Sequence, residues 1–205
     1  MLNAAYPPSE GFYFSETIEE DIALMLCHGA SYDEVYTYYT QDPEGDPWQD
    51  RETDIDPQPE SLEELIRMVS EEYKRAVPRD SEDATKIASL EDAFKQRNLA
   101  WSFDEGWDKG EAAQDGVEKA RDINADGYAY CTLQDVDGLI HTGTLYIGYS
   151  STSAKEEETR TIGHRVCEVL KEQGLNPTWD GNTGARIVCS GLRYQLALAD
   201  DFPSQ

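Results

Sequence analysis

Three groups of side chains in this chain have the types and spacing that chemistry requires. His141 lies in Gly138-Leu-Ile-His-Thr-Gly143, a few residues after Gln134 and Asp135. A histidine beside a carboxylate is the usual pairing for general acid–base work. Asp122, Asn124 and Asp126 alternate ahead of Gly127, like the first half of a calcium loop in which successive oxygens wrap the ion. The third group is Ser31-Tyr-Asp-Glu-Val-Tyr-Thr-Tyr-Tyr39, four tyrosines laced with acids. Tyrosine offers a large contact area at low entropic cost, and acids around it steer basic partners.

Each group has a plainer reading. The calcium pattern needs a bidentate Glu at its twelfth position, where this chain has Leu133, and it runs into a strand pattern instead of a helix. His141 reads as a loop residue between two strands with no defined partner. Tyr149-Ser-Ser-Thr-Ser-Ala-Lys155 joins a strand to a helix, where backbone donors hold anions, but it lacks the glycines of a phosphate loop. Glu156, Glu157 and Glu158 follow at once and satisfy the helix dipole themselves. The pattern thus supplies no catalytic set and no cofactor motif, and the expectation leans away from an enzyme. The tyrosine–acid cluster is the strongest of the three.

Charge points the same way. The formal net charge is -25 on 205 residues. The first fifty residues hold eleven Asp and Glu and no Lys or Arg; Arg51 is the first basic side chain. Such a surface disfavours phosphate backbones and anionic membranes, because both carry the same sign. It suits a basic protein, a cation, or a high-salt setting in which screening relieves self-repulsion. No signal-peptide pattern and no apolar run near twenty residues is present. The four cysteines are dispersed, with Cys131 and Cys189 read in strands and Cys167 in a helix, so a reduced cytoplasmic setting is expected.

The elements that must position these groups follow from periodicity. Thr17 with Glu20, and Ser31 with Glu34, are spaced as capping boxes that open two short helices separated by Gly29. Residues 41–60 carry four prolines and eight acids and break all periodicity, as a loop or ordered acidic linker. Ser61 opens a helix with Leu62, Leu65, Ile66, Val69 and Tyr73 on its apolar face, and another helix spans roughly 82–97. Strands are expected at 99–103, 127–133, 144–149, 177–179 and 185–190, with an edge strand at 192–199. Helices are expected at 111–122 and 155–173. Strands 127–133 and 144–149 should be neighbours, with the 155–173 helix across one face. The fold expectation is α+β. An acidic helical subdomain (1–98, with its loop 41–60) packs on a C-terminal α/β subdomain (99–205) with a mostly antiparallel or mixed sheet and one long covering helix.

Gly127-Tyr-Ala-Tyr, Leu133-Gln-Asp135, Leu145-Tyr-Ile-Gly-Tyr149, Leu170-Lys-Glu-Gln-Gly-Leu175 and Trp179-Asp-Gly181 together resemble a bacterial domain-of-unknown-function family with the pattern GYxxxxxQD…LYxxY…GLxxxWDG. Ser89-Leu-Glu-Asp-Ala-Phe94 and Leu99-Ala100 extend the likeness, which covers roughly residues 60–190. The resemblance implies a shared α/β fold and a bacterial origin, and it implies no activity. Many members carry a cysteine-rich stretch where this chain has Ser102-Phe-Asp-Glu-Gly-Trp-Asp108, so a metal function there is not implied.

The functional expectation is a non-enzymatic cytoplasmic binding protein acting on a basic protein, as an immunity protein, antitoxin or inhibitor does. The contact surface is expected at Tyr32, Asp33, Glu34, Tyr38, Asp42, Glu44, Asp46 and Trp48. A small hydrolase or ligand-binding protein using loops around His141, Asp135 and Asp180 is the alternative. A cation-binding or salt-adapted acidic protein is a third.

Overall fold

The computed structural model describes residues 17–41, 48, 52–106 and 108–203. These form two compact units. Described residues up to Ser81, with those from Gln195 onward, make the first; Glu82–Tyr194 make the second.

The first unit is helical. α1 (Ile18–Cys27) starts where Thr17 takes the Glu20 N–H at 3.4 Å, and it buries Ile18, Ile22 and Leu26 as one stripe. α2 (Tyr32–Gln41) starts at the Ser31–Glu34 box, in which Glu34 Oε2 accepts the Ser31 N–H at 2.8 Å and Ser31 Oγ accepts the Glu34 N–H at 3.3 Å. Only Val35 of α2 is buried. α3 (Leu62–Ala76) is capped by Ser61 and buries the expected Leu62, Leu65, Ile66, Val69 and Tyr73. One charged side chain enters this core: Glu19, 3% exposed. Its Oε1 accepts the N–H groups of Asp54 (3.0 Å) and Ile55 (3.2 Å) and the Thr53 hydroxyl, which ties the acidic segment after Arg51 to α1.

In the second unit α4 (Glu82–Ala88) and α5 (Leu90–Gln96) precede β1 (Leu99–Ser102), α6 (Lys109–Asp122), β2 (Gly127–Tyr130), α7 (Leu133–Thr142), β3 (Thr144–Ser151), α8 (Glu156–Glu172), β4 (Pro177–Thr178) and β5 (Ile187–Ser190). The sheet runs β1-β2-β3-β5-β4. β1 and β2 are parallel and every other pair is antiparallel, so the fold is α+β with a mixed sheet. β2 and β3 pair with Ala129 opposite Tyr149 and Tyr130 opposite Gly148. α8 packs on β3, burying Ile162, Val166, Val169 and Leu170.

Several local expectations are corrected. The strand expected over 127–133 ends at Tyr130, and the expected loop holding His141 is helix α7. Thr132 and Asp135 form a capping box there, and Val136, Leu139 and Ile140 recur at helical spacing. The apolar residues around Cys131 mimicked a continuing strand, and Cys131 lies just beyond β2. The helix expected over 82–97 is divided at Ser89, whose hydroxyl bonds the Lys86 carbonyl. Among the described residues the 192–199 segment joins no sheet. Its N–H groups go to the Gly143 carbonyl and to the side chains of Asp83, Ser81 and Asp80. Cys27, Cys131 and Cys189 are buried free thiols, and burial pushes each up, Cys27 and Cys189 to about 12.

Candidate functional site

The α2 surface is built from the Ser31 cap outward. Val35 points inward, and Glu34, Tyr38 and Gln41, at i, i+4 and i+7, share one flank of the helix and are all exposed. Tyr38 is 50% exposed, one of the most open large hydrophobic side chains among the described residues. Its ring meets Tyr39 edge-on at 5.0 Å, and the Tyr39 hydroxyl bonds Asp21 Oδ2 at 2.6 Å. An anchored neighbour therefore holds the exposed ring.

The other tyrosines are tied into the helical unit by contacts of their own. Tyr36 donates to Glu63 Oε1 at 3.0 Å, which raises its pKa. Tyr32 stacks on Tyr36 at 6.0 Å and meets Phe202 edge-on at 5.7 Å. Burial, then Glu63 and Asp33, push the Tyr32 phenol up. Asp201 Oδ2 takes the first α2 N–H, from Tyr32, at 2.9 Å. The Ser31 hydrogen bonds hold the Glu34 carboxyl below its ordinary value, which keeps it ionised. Of the expected contact residues, Asp33, Glu34 and Tyr38 are exposed, while Tyr32 and Trp48 are half-buried. Asp42, Glu44 and Asp46 lie outside the described residues.

The His141 constellation is separated. Asp135 opens α7 and His141 lies in its last turn; six residues of helix put them about 9 Å apart along the axis. Asp180 Oδ1 accepts the Asn182 N–H in the turn after β4. The Asp135 carboxylate is already engaged. It caps α7 through Thr132 and receives a fork from Arg186, Nη1 to Oδ1 at 2.7 Å and Nη2 to Oδ2 at 2.5 Å. Arg186 Nη2 also bonds the Tyr146 carbonyl at 2.9 Å, and the guanidinium lies over the Tyr130 ring, 5.8 Å from its centroid. Gly148 makes room for that ring, since a Cβ there would sit 2.2 Å from it.

Sequence reasoning passed over Arg186. Its signal was a lone charge beside the apolar Ile187–Ser190 run, which requires a buried partner. An open pocket of about 570 Å³ adjoins the pair, lined by Asp108, Lys109, Gly110, Thr132, Gln134, Asp135 and Arg186.

Asp122, Asn124 and Asp126 form the turn that closes α6. Asn124 takes the left-handed conformation (φ 54) suited to a helix end, and Asp126 Oδ2 receives Arg165 Nη1 at 2.9 Å. Among the described residues no three His, Cys, Asp or Glu side chains gather as metal ligands, and no helix is long and apolar enough to cross a membrane.

No curated protein and no solved structure is matched by this chain. A family profile, described as Domain of unknown function (DUF6891), matches residues 13–197. With nearly the whole chain inside that match, the protein belongs to the DUF6891 family.

Proposed function

We propose that this chain is a non-enzymatic binding protein whose acidic helical unit engages a basic protein, as an immunity protein, antitoxin or inhibitor would. The observation that supports this reading most is Tyr38, an exposed ring held by an anchored neighbour, with ionised Glu34 one turn away on the same face. Exposed and pre-positioned aromatics anchor interfaces because little freedom remains to be lost on binding.

Charge distribution adds to it. Residues 1–81 and 195–205 carry 22 acidic and five basic residues, whereas 82–194 carry 20 and 12. The acidity is concentrated on the unit that presents Tyr38. A potential of that kind speeds encounter with a positively charged surface, such as the cleft of a nucleic-acid-binding protein. The setting we propose is the bacterial cytoplasm.

The test is capture from a lysate of the native host on three immobilised baits: wild type, Tyr38→Ala and Glu34→Lys. A basic protein retained by wild type and depleted on both variants is the expected result. Equal retention on all three would remove α2 from the interface. Retention of no basic protein would leave the acidity as a solvation device.

A further inference from the structure

We propose that the 195–202 segment is a latch for α2: its seating holds the first turn of the helix, and its release unfolds that turn and with it the surface that carries Glu34 and Tyr38. The consequence for binding rests on the function proposed above, whereas the latch is a property of the helical unit alone. Every residue in it belongs to that unit.

α2 has little burial of its own to hold it. Val35 is its one buried residue, and an isolated helix of 10 residues is marginal in water. Its later residues are tied down by side chains, Tyr36 to Glu63 of α3 and Tyr39 to Asp21 of α1. At its start, Ser31 Oγ takes the Glu34 N–H. The Tyr32 N–H, which has no acceptor within the helix, goes to Asp201 Oδ2 at 2.9 Å. A carboxylate there also suits the helix dipole. Beside it the Phe202 ring, 8% exposed, meets the Tyr32 ring edge-on at 5.7 Å.

The segment can hold α2 because it is itself fixed upstream. The Ser81 N–H donates to the Gln195 carbonyl at 2.9 Å, the Gln195 N–H to Ser81 Oγ at 3.1 Å, and the Ala197 N–H to Asp80 Oδ1 at 2.7 Å. The hydroxyl of Tyr73, a buried residue of α3, donates to the Leu196 carbonyl at 2.6 Å. Leu196 also covers Gly29 in the turn between α1 and α2, where a Cβ would sit 3.0 Å from its Cδ1. The chain is thus pinned at 195–197 and reaches α2 at 201–202. Only the far end is open: Asp201 is exposed, so a competing donor can reach its bond.

The test is amide hydrogen exchange, read by NMR on the ¹⁵N-labelled full chain, for residues 35–39 of α2 against the amides of α3 and β3. Asp201→Ala should speed exchange in α2 about fivefold and Phe202→Ala about tenfold or more, the scales of a lost cap and a truncated buried ring. α3 and β3 should keep their wild-type rates. Asp201→Asn should keep most of the protection, since its amide oxygen accepts the same N–H. Wild-type rates in α2 of both alanine variants would overturn the proposal. So would equal acceleration in α2 and α3, which would make the segment a general stabiliser. So would α2 amides that are unprotected in wild type. No partner enters the measurement, so failure of the proposed binding function would leave its result standing.

Discussion

Arg186 illustrates how one side chain organises the second unit. It joins the start of β5 to the first turn of α7 through Asp135 and to β3 through the Tyr146 carbonyl. Removing one partner of a buried pair strands the other charge, which costs about 3–5 kcal/mol. Arg186→Ala should therefore lower the unfolding free energy by about that amount in urea melts. Arg186→Lys should recover only part of it, since an ammonium cannot make the planar fork. A loss below about 1 kcal/mol would show that the pair is solvated.

Asp126 and Arg165 give a case with a pH signature. Arg165, with Asn98, holds the Asp126 carboxyl below its ordinary value. A carboxyl with a lowered folded value contributes stability above its unfolded value, about 4, and that contribution disappears as pH falls through the folded value. Arg165→Ala should thus be less stable than wild type at pH 7, and the gap should close toward pH 2–3. The exposed setting limits the gap to under about 1 kcal/mol. A gap that stays constant with pH would assign the effect to packing instead.

At the scale of elements, caps decide where helices begin. The Thr132–Asp135 box turned a segment read as strand and loop into α7. Thr132→Ala should cost about 1 kcal/mol, and Thr132→Ser should restore most of it, as read by thermal unfolding. The capping spacings at Thr17 and Ser31, and the helix start at Ser61, were legible because an apolar or amphipathic helical stretch follows each of them. At Thr132 the same signal was overridden by Tyr128, Tyr130 and Cys131, whose alternation suggested a longer strand. The course of the 192–199 segment was illegible for another reason. Its bonds run to Asp80 and Ser81, more than a hundred residues away, and no local pattern encodes them.

At the scale of the molecule, the α+β class and the mixed sheet followed from alternating strand patterns and one long amphipathic helix. The expected membership of a domain-of-unknown-function family agrees with the DUF6891 match over residues 13–197. Topology was less accessible. The β1–β2 pairing is parallel because α6 intervenes as a crossover, and the two units exchange the chain twice, at 81–82 and 194–195. The Asp135–Arg186 pair spans 51 residues and lies beyond local spacing. By contrast, the α2 surface was legible because it is local: one cap, one buried Val35 and a helical period place Glu34 and Tyr38 together.

Electrostatics and packing at that surface make separate kinetic demands. Long-range attraction acts on encounter, whereas a desolvated aromatic acts on the formed complex. The most direct measurement is stopped-flow binding of the captured basic partner at about 50 and 500 mM salt, a range in which the screening length falls from roughly 14 to 4 Å. For wild type the account predicts an on-rate about tenfold or more slower at high salt, with a nearly constant off-rate. Glu34→Lys should lower mainly the on-rate, and Tyr38→Ala should raise mainly the off-rate, by about tenfold or more. An on-rate independent of salt, or a Tyr38→Ala off-rate equal to wild type, would contradict the account.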